Sequence, residues 1–132
     1  MADMFKLQVV TPDELFYEGE ASMVELTTTE GQIGVYADHI PLTAIVAPGV
    51  LHIHEVAEGK KAALHAGFIE ILPDRITILA EVVEWPEEID MKRAEEARIR
   101  AERRIKDNSP NTDMVRAELA LKRAMARLET MQ

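Results

Sequence analysis

The sequence contains no cysteine and no long hydrophobic run. Because none of its 132 residues is cysteine, disulfides, thiolate catalysis and cysteine-based zinc sites are excluded. The most apolar stretch, residues 40–51, is short and contains Pro41, Pro48 and Gly49, so it cannot span a bilayer. We therefore expect no direct membrane insertion, and any association with a membrane must come through a partner.

Basic residues are scarce, and those present are unevenly distributed. The chain has 15 Lys and Arg against 24 Asp and Glu, a net charge of −9, which argues against nucleic-acid binding. Residues 1–88 contain 4 basic and 16 acidic residues, whereas residues 89–132 contain 11 and 8. The hydrophobic period changes at the same place. We therefore predict two domains, residues 1–86 and residues 87–132, with Pro86 as the stop between them.

The first domain is composed of short alternating segments between turn signals. The segments are FKLQVV, SMVELTTT, GQIGVY, TAIVA, VLHIHEV, KKAALHA, FIEIL and RITILAEVVEW. Turn pairs such as Pro12 with Asp13 and Pro48 with Gly49 separate them. This spacing predicts an antiparallel β-sandwich or barrel. The absence of a sustained 3.6-residue period argues against a βαβ architecture.

The second domain has the pattern of two helices. We predict the first from about Asp90 to Ile105, with Asn108 and Pro110 ending it, and the second from a cap at Asn111 or Thr112 to about Met131. The second helix carries an apolar stripe of Met114, Ala117, Leu121, Ala124, Met125, Leu128 and Met131. The first helix offers mainly alanines, so the two are expected to form a closely packed antiparallel α-helical hairpin.

Nothing in the sequence has the pattern of an independent active site. Walker-type, G-x-S-x-G and H-E-x-x-H motifs are all absent. His52 and His54 are expected on one strand face, but no further metal ligand is specified, so we expect no metal cofactor. His39 lies in a loop that enters a strand, where a structural hydrogen bond or a partner contact is expected.

Two stripes of arginine follow the helices. Arg93, Arg100 and Arg104 are spaced by 7 and 4 residues, and Arg116, Arg123 and Arg127 repeat that spacing. An antiparallel hairpin places Arg93 level with Arg127, and Arg104 level with Arg116. Three interpretations are open: a solvated face, a contact with an acidic protein partner, and a polyphosphate site.

The sequence IDMKRA, residues 89–94, raises the same question locally. Asp90 is a good N-cap, but Lys92 and Arg93 in the first turn oppose the positive end of the helix dipole. The motif is therefore either an imperfect cap or a place for an anion.

Nearly the whole chain resembles the epsilon subunit of the F-type ATP synthase, especially its bacterial forms. The resemblance is carried by VTPDELFYEGEASMVEL, EGQIGVYADHIPLTAIVAPGVLHI, HAGFIEILPDRITILAEVVEWPEEID and RAELALKRAMARL. Two departures concern turns: Asp38 stands where the family often has glycine, and Ala66 replaces the first glycine of a Gly-Gly-Phe sequence. Asp tolerates the left-handed region better than most residues, so we expect the turn to survive.

The resemblance implies a β-sandwich of about ten antiparallel strands followed by the helical hairpin. It implies a non-catalytic stalk subunit whose sandwich contacts the gamma subunit and the c-ring and helps to couple ion-driven rotation to ATP synthesis in the alpha and beta subunits. The hairpin would lie folded on the sandwich or extend to inhibit ATP hydrolysis. His39, Arg104 and Arg116 are the expected partner contacts.

The resemblance also implies a regulatory ATP site on the folded hairpin. Some bacterial members bind ATP through an Ile/Leu-Asp-x-x-Arg-Ala motif. Its positions match Ile89, Asp90, Arg93 and Ala94, and accompanying positions match Glu84, Arg100, Arg123 and Arg127. The alternatives are a purely structural coupling subunit that binds no nucleotide, and a stand-alone enzyme or metal protein. The expected location is peripheral, at the cytoplasmic face of the bacterial plasma membrane, with a plastid-encoded origin as the alternative.

Overall fold

The computed structural model describes residues 3–132, which form eight β-strands followed by two α-helices. The strands are β1 (Phe5–Val10), β2 (Leu15–Ala21), β3 (Met23–Thr28), β4 (Gly31–Tyr36), β5 (Leu42–Val46), β6 (Gly49–His54), β7 (Gly59–Ile71) and β8 (Arg75–Glu84). A 3-10 turn at Pro86–Glu88 leads to α1 (Met91–Asp107) and α2 (Met114–Thr130). Within residues 3–132, no helix is long and apolar enough to cross a membrane.

The expected count of about ten strands is wrong, since the described chain has eight. The segments KKAALHA and FIEIL form one strand, β7, in which a change of register between Leu64 and Gly67 shifts the side-chain alternation without ending the pairing. β2 was missing from the segments read from the sequence, because its LFYEGEA pattern mixes acidic residues and glycine into the alternation.

The pairing is antiparallel with one exception. β1 pairs antiparallel with β2 but parallel with β8, and the long chain between these first and last strands makes the parallel pairing possible. β7 pairs with β8 along most of its length, and with β6 and β5 on its other side. β3 also pairs with both β5 and β6, so the ladders close around one core.

The core follows the alternation predicted for the strands. Phe5, Leu7 and Val9 are buried, whereas Lys6 and Gln8 between them are exposed. One turn needs an unusual backbone angle. Asp38 adopts a φ of 61°, so the turn expected there survives the replacement of glycine.

The helical hairpin lies against one side of the sandwich through α2. α1 packs on α2, and α2 packs on β6 and β7. Buried alanines at the helix contact, Ala94 and Ala101 of α1 with Ala117 and Ala124 of α2, allow close approach, as the sequence predicted. The apolar stripe read from the sequence missed Ala126 and Thr130, which are buried because α2 is covered on two sides.

The helix ends differ slightly from the prediction. Asn108 ends α1 with a φ of 43°, in the left-handed conformation of a C-cap. The cap of α2 is Asp113 rather than Asn111 or Thr112, and its carboxylate accepts the backbone N–H of Arg116 at 3.1 Å. Three adjacent residues could have served as the cap, and the one that precedes the first packed turn does so.

Candidate functional site

The connection between sandwich and hairpin is anchored at Trp85. Its ring stacks on Phe16 with centroids 4.4 Å apart and an interplanar angle of 19°, and it meets Tyr17 edge-on at 6.2 Å. The Glu88 carboxylate accepts the Trp85 backbone N–H at 2.9 Å. Only residues 86–90 lie between this packed ring and the start of α1.

Asp90 is the N-cap of α1. Its carboxylate accepts the backbone N–H of Arg93 at 3.1 Å, and no acidic residue follows it in the first turn. Ile89 is buried at the junction, with 8% of its surface exposed, and Ala94 is buried against the hairpin. The N-cap is therefore properly formed, and the Arg93 side chain borders the space beside it.

That space is a cleft of about 470 Å³, which we call the hinge cleft. It is lined by Glu84, Glu88, Asp90, Arg93, Ala94, Glu96, Ala97, Arg100 and Arg127. The volume is within the range of small-molecule sites. Six of the eight residues predicted for an ATP site line this cleft, and they come from β8, α1 and α2. Of the other two, Ile89 is buried at the junction and Arg123 is exposed on α2, outside the lining.

Glu84 is the point where the sandwich and α2 are tied together. Its Oε1 accepts Arg127 Nε–H at 2.8 Å and also His65 Nε2–H at 2.8 Å. The hydrogen bond from His65 and, after it, the Arg127 guanidinium hold the pKa of this carboxyl below its ordinary value, against the opposing effect of burial. Beyond this pair, Lys61 Nζ donates to the Gln132 carbonyl at 2.9 Å.

Two guanidinium groups in the hinge cleft form no close ion pair. Within residues 3–132, neither Arg93 nor Arg100 forms an ion pair shorter than 4.0 Å. Arg98, on the same helix, pairs with both Glu95 and Glu102. The cleft therefore presents two guanidiniums free to bind an anion, among the carboxylates of Glu84, Glu88, Asp90 and Glu96.

The register predicted for the hairpin is confirmed at both ends. Arg93 and Arg127 share the hinge cleft, while Arg104 and Arg116 share a second cleft of about 390 Å³ beside the interhelix loop. We call this the loop cleft. His39 lies far from both in the sequence, in the loop before β5, where its Nδ1 is 2.7 Å from the Ile40 carbonyl.

The paired histidines lie as the strand pattern predicted. His52 and His54 share one face of β6 with ring centroids 6.4 Å apart, while Leu51 and Ile53 are buried on the other face. His54 Nε2–H donates to Glu25 at 2.7 Å. Across residues 3–132, no group of three or more His, Cys, Asp or Glu has the arrangement of a metal site.

Sequence reasoning missed four residues around the hinge cleft. Glu88, Glu96 and Ala97 line it, and the buried His65 contacts Glu84. The position of Glu96, three residues after Arg93 on α1, was available from the sequence, whereas Glu88 precedes the helix in the 3-10 turn. The partner of His65 was not available from the sequence, because it depends on the register between β7 and β8.

Comparison with known proteins places both domains in one family. Residues 4–86 match the sequence profile described as "ATP synthase, Delta/Epsilon chain, beta-sandwich domain", and residues 87–132 match "ATP synthase, Delta/Epsilon chain, long alpha-helix domain". The chain is 45% identical to the ATP synthase epsilon chain of Caldanaerobacter subterraneus subsp. tengcongensis, over 98% of this chain and 94% of that one. It is 44% identical to that of Clostridium novyi, over 98% of each.

Solved structures share the fold. A chain of the Euglena gracilis mitochondrial ATP synthase, from the assembly of OSCP, F1 and c-ring, has a TM-score of 0.83 at 22% identity, covering 96% of this chain and 79% of that one. A chain of the central stalk and c-ring of the Tetrahymena thermophila mitochondrial ATP synthase has a TM-score of 0.60 at 16% identity, covering 97% and 96%.

Fold and comparisons together define a non-catalytic subunit of an ATP synthase. The chain belongs to the ATP synthase delta/epsilon chain family, where its place is that of the epsilon subunit in the central stalk of the F-type enzyme. The resemblance seen in the sequence is thereby confirmed.

Proposed function

We propose that the folded hairpin is an ATP-responsive arm that regulates the ATP synthase. The observation that carries this proposal is the convergence of Glu84, Asp90 and three arginines on the hinge cleft. A ligand in this cleft contacts the end of the sandwich and both helices. It therefore favours the folded arrangement by its own binding free energy.

The residues around the hinge cleft divide into anion binders and acceptors. The guanidiniums of Arg93 and Arg100 neutralise phosphate oxygens, and Arg123, which lies outside the lining one turn before Arg127, turns toward the phosphate tail when the nucleotide binds. The carboxylates of Glu84 and Asp90 accept hydrogen bonds from the base or the ribose. Ala94 presents only a methyl group, and Ile89 packs beneath the turn that leads into α1, so that the nucleotide can approach the helix closely.

The extended hairpin inhibits ATP hydrolysis in this proposal. Its attachment supports a separable arm, because α1 rests mainly on α2 and the buried surface between the helices is lined by alanines. In the extended arm, Arg104 and Arg116 of the loop cleft contact acidic segments of the beta subunits in the alpha–beta hexamer.

The sandwich supplies the contacts that couple rotation. Ile45, Phe68 and Leu79 are direct cross-strand neighbours on β5, β7 and β8, and each has about half of its surface exposed. Such a patch is typical of a protein interface, and we assign it to the gamma subunit. His39 and the 78% exposed Ile40 form the contact with the c-ring. The subunit then lies at the cytoplasmic face of the bacterial plasma membrane.

Titration calorimetry of the whole chain with ATP tests the nucleotide site. Saturable one-to-one binding is expected, with loss of binding in Arg93→Ala and Arg127→Ala. Arg103→Ala is the matched control, because Arg103 is an exposed arginine of α1 outside the hinge cleft. Equal binding heats for the wild type and the three variants would show that the hinge cleft is not the ATP site.

A purely structural coupling subunit is the second candidate function. The ion pair between Glu84 and Arg127 favours it, because this pair already ties the hairpin to the sandwich without a ligand. The absence of any binding heat at millimolar ATP would select this candidate. The arginine stripes would then serve protein partners alone.

A further inference from the structure

His65 is a buried polar residue with no role in the site described so far. Only 2% of its surface is exposed, and it lies on β7 among the apolar residues of the core. Its Nε2–H donates to Glu84, while its Nδ1 has no hydrogen-bond partner within the described residues. A buried imidazole with one ring nitrogen unsatisfied carries a cost in stability, so its single hydrogen bond calls for an explanation.

A bulge in β7 brings His65 to Glu84. Ala63 pairs with Glu84 and Leu64 with Val83, but the next paired residue of β7 is Ala66, opposite Val82. His65 is the extra residue that this register change leaves out. Bulges of this kind redirect a side chain, and here the redirected imidazole meets the carboxylate at the end of the neighbouring strand.

The two donors on Glu84 belong to different parts of the molecule. His65 belongs to the sandwich, whereas Arg127 belongs to the hairpin, yet both contact the same oxygen, Oε1. Arg127 also lines the hinge cleft, where a phosphate would compete with Glu84 for its guanidinium. When Arg127 turns to such a ligand, His65 is the donor that remains on Glu84.

We propose that His65 is a positioning residue of the hinge cleft, which holds the Glu84 carboxylate in place while Arg127 exchanges between Glu84 and the phosphates of a nucleotide. This inference rests on the proposed function and adds a residue to it. Without His65, a Glu84 carboxylate that has lost its contact with Arg127 would rotate toward Arg93 or Arg100. There it would compete with the phosphates for these guanidinium groups.

Calorimetric titration with ATP of the whole chain and of two variants tests the inference. His65→Leu keeps an apolar volume without a donor, and His65→Gln keeps a donor amide. We expect ATP affinity to fall by about tenfold in His65→Leu, the scale of one hydrogen bond to a charged group, and to recover largely in His65→Gln. His52→Leu is the control, because His52 lies on β6 and makes no contact with Glu84. Equal ATP affinity in the wild type and both variants would overturn the role of His65 and leave the proposed function intact.

Nitrogen-15 spectroscopy of the wild type keeps the test independent of whether the variants fold. We expect His65 to remain an Nε2–H donor to a carboxylate at saturating ATP, while the Arg127 Nε–H signal shifts as its partner changes. Loss of the His65 hydrogen bond on addition of ATP would overturn the positioning role. A wild type that binds no ATP is a separate result, because it overturns the proposed function and the inference with it.

Discussion

Arg127 near the end of α2 donates its Nε–H to Glu84 at the end of β8, and the 2.8 Å contact ties the hairpin to the sandwich across 43 residues of chain. Both side chains are partly exposed, at 31% and 23%. This ion pair links the hinge cleft to the contact between hairpin and sandwich.

Breaking this ion pair is expected to loosen the hairpin without unfolding the sandwich. Arg127→Ala and Glu84→Gln should each raise amide hydrogen exchange in α1 and α2, with a coupling energy of about 1 kcal/mol in a double-mutant cycle. Arg103→Ala serves again as the control. Additive effects of the two substitutions would show that the pair contributes nothing to docking.

Acid should weaken the same contact. The folded-state pKa of Glu84 is held below its ordinary value of 4.5 by His65 and Arg127, so the unfolded state binds a proton more readily than the folded state. The contribution of Glu84 is therefore complete above pH 4.5 and is lost as the pH falls through the lower folded-state value. Carbon-13 titration of the Glu84 carboxyl measures this pKa, and Arg127→Ala should move it upward. A Glu84 pKa that stays unchanged in Arg127→Ala would contradict the assigned cause.

The cap of α1 can be separated from the charge of Asp90. Asp90→Ala should lower the free energy of unfolding of the hairpin by about 1 kcal/mol, because the backbone N–H of Arg93 loses its acceptor. Asp90→Asn keeps a capping oxygen and should cost only a few tenths of that amount. Urea denaturation followed by circular dichroism measures both. Equal losses in the two variants would mean that the charge, and not the cap, is what matters.

Gly67 should be far less tolerant of substitution than Gly31. A Cβ at Gly67, where φ is 144°, would lie 2.0 Å from the Leu79 carbonyl oxygen, whereas one at Gly31 meets nothing within 4 Å despite a φ of 119°. Gly67→Ala is expected to lower the free energy of unfolding by roughly 3 kcal/mol or more, and Gly31→Ala by about 1 kcal/mol. Thermal unfolding checks the order, and similar losses would show that only the backbone angle matters.

The apolar patch of Ile45, Phe68 and Leu79 should be needed for binding to the gamma subunit. Phe68→Asp is expected to abolish co-purification with gamma, because it places a charge at the centre of an apolar interface. Val56→Asp, at an 85% exposed turn away from the patch, should leave co-purification intact. If the folded Phe68→Asp protein still co-purifies with gamma, the patch is not the gamma-binding surface.

Periodicity in the sequence predicted the nature of the elements and the register of the arginine stripes. It could do so because each of these depends on local spacing. The strand count and the parallel pairing of β1 with β8 depend on contacts between distant segments, so they needed the structure. The count of about ten came from the resemblance and not from the segments, and the described chain has eight strands.

The site was predictable only in part. The residues of the IDMKRA segment could be read directly, since a helix start places Asp90 and Arg93 in one turn. The contact of His65 with Glu84 could not, because a single extra residue in β7 decides where the imidazole points. Arg123 was predicted for the site because its spacing matches the arginine stripe, but its side chain lies outside the lining of the hinge cleft.

The stack of Trp85 on Phe16 makes the start of the hairpin a fulcrum. The Trp85 ring is packed against the sandwich, and only residues 86–90 separate it from α1. α1 is a stiff rod of about 25 Å at 1.5 Å per residue, so a modest change in a few backbone angles is amplified along its length. A rotation of the hairpin about this turn would move the interhelix loop furthest and the hinge cleft, which lies beside the turn, least.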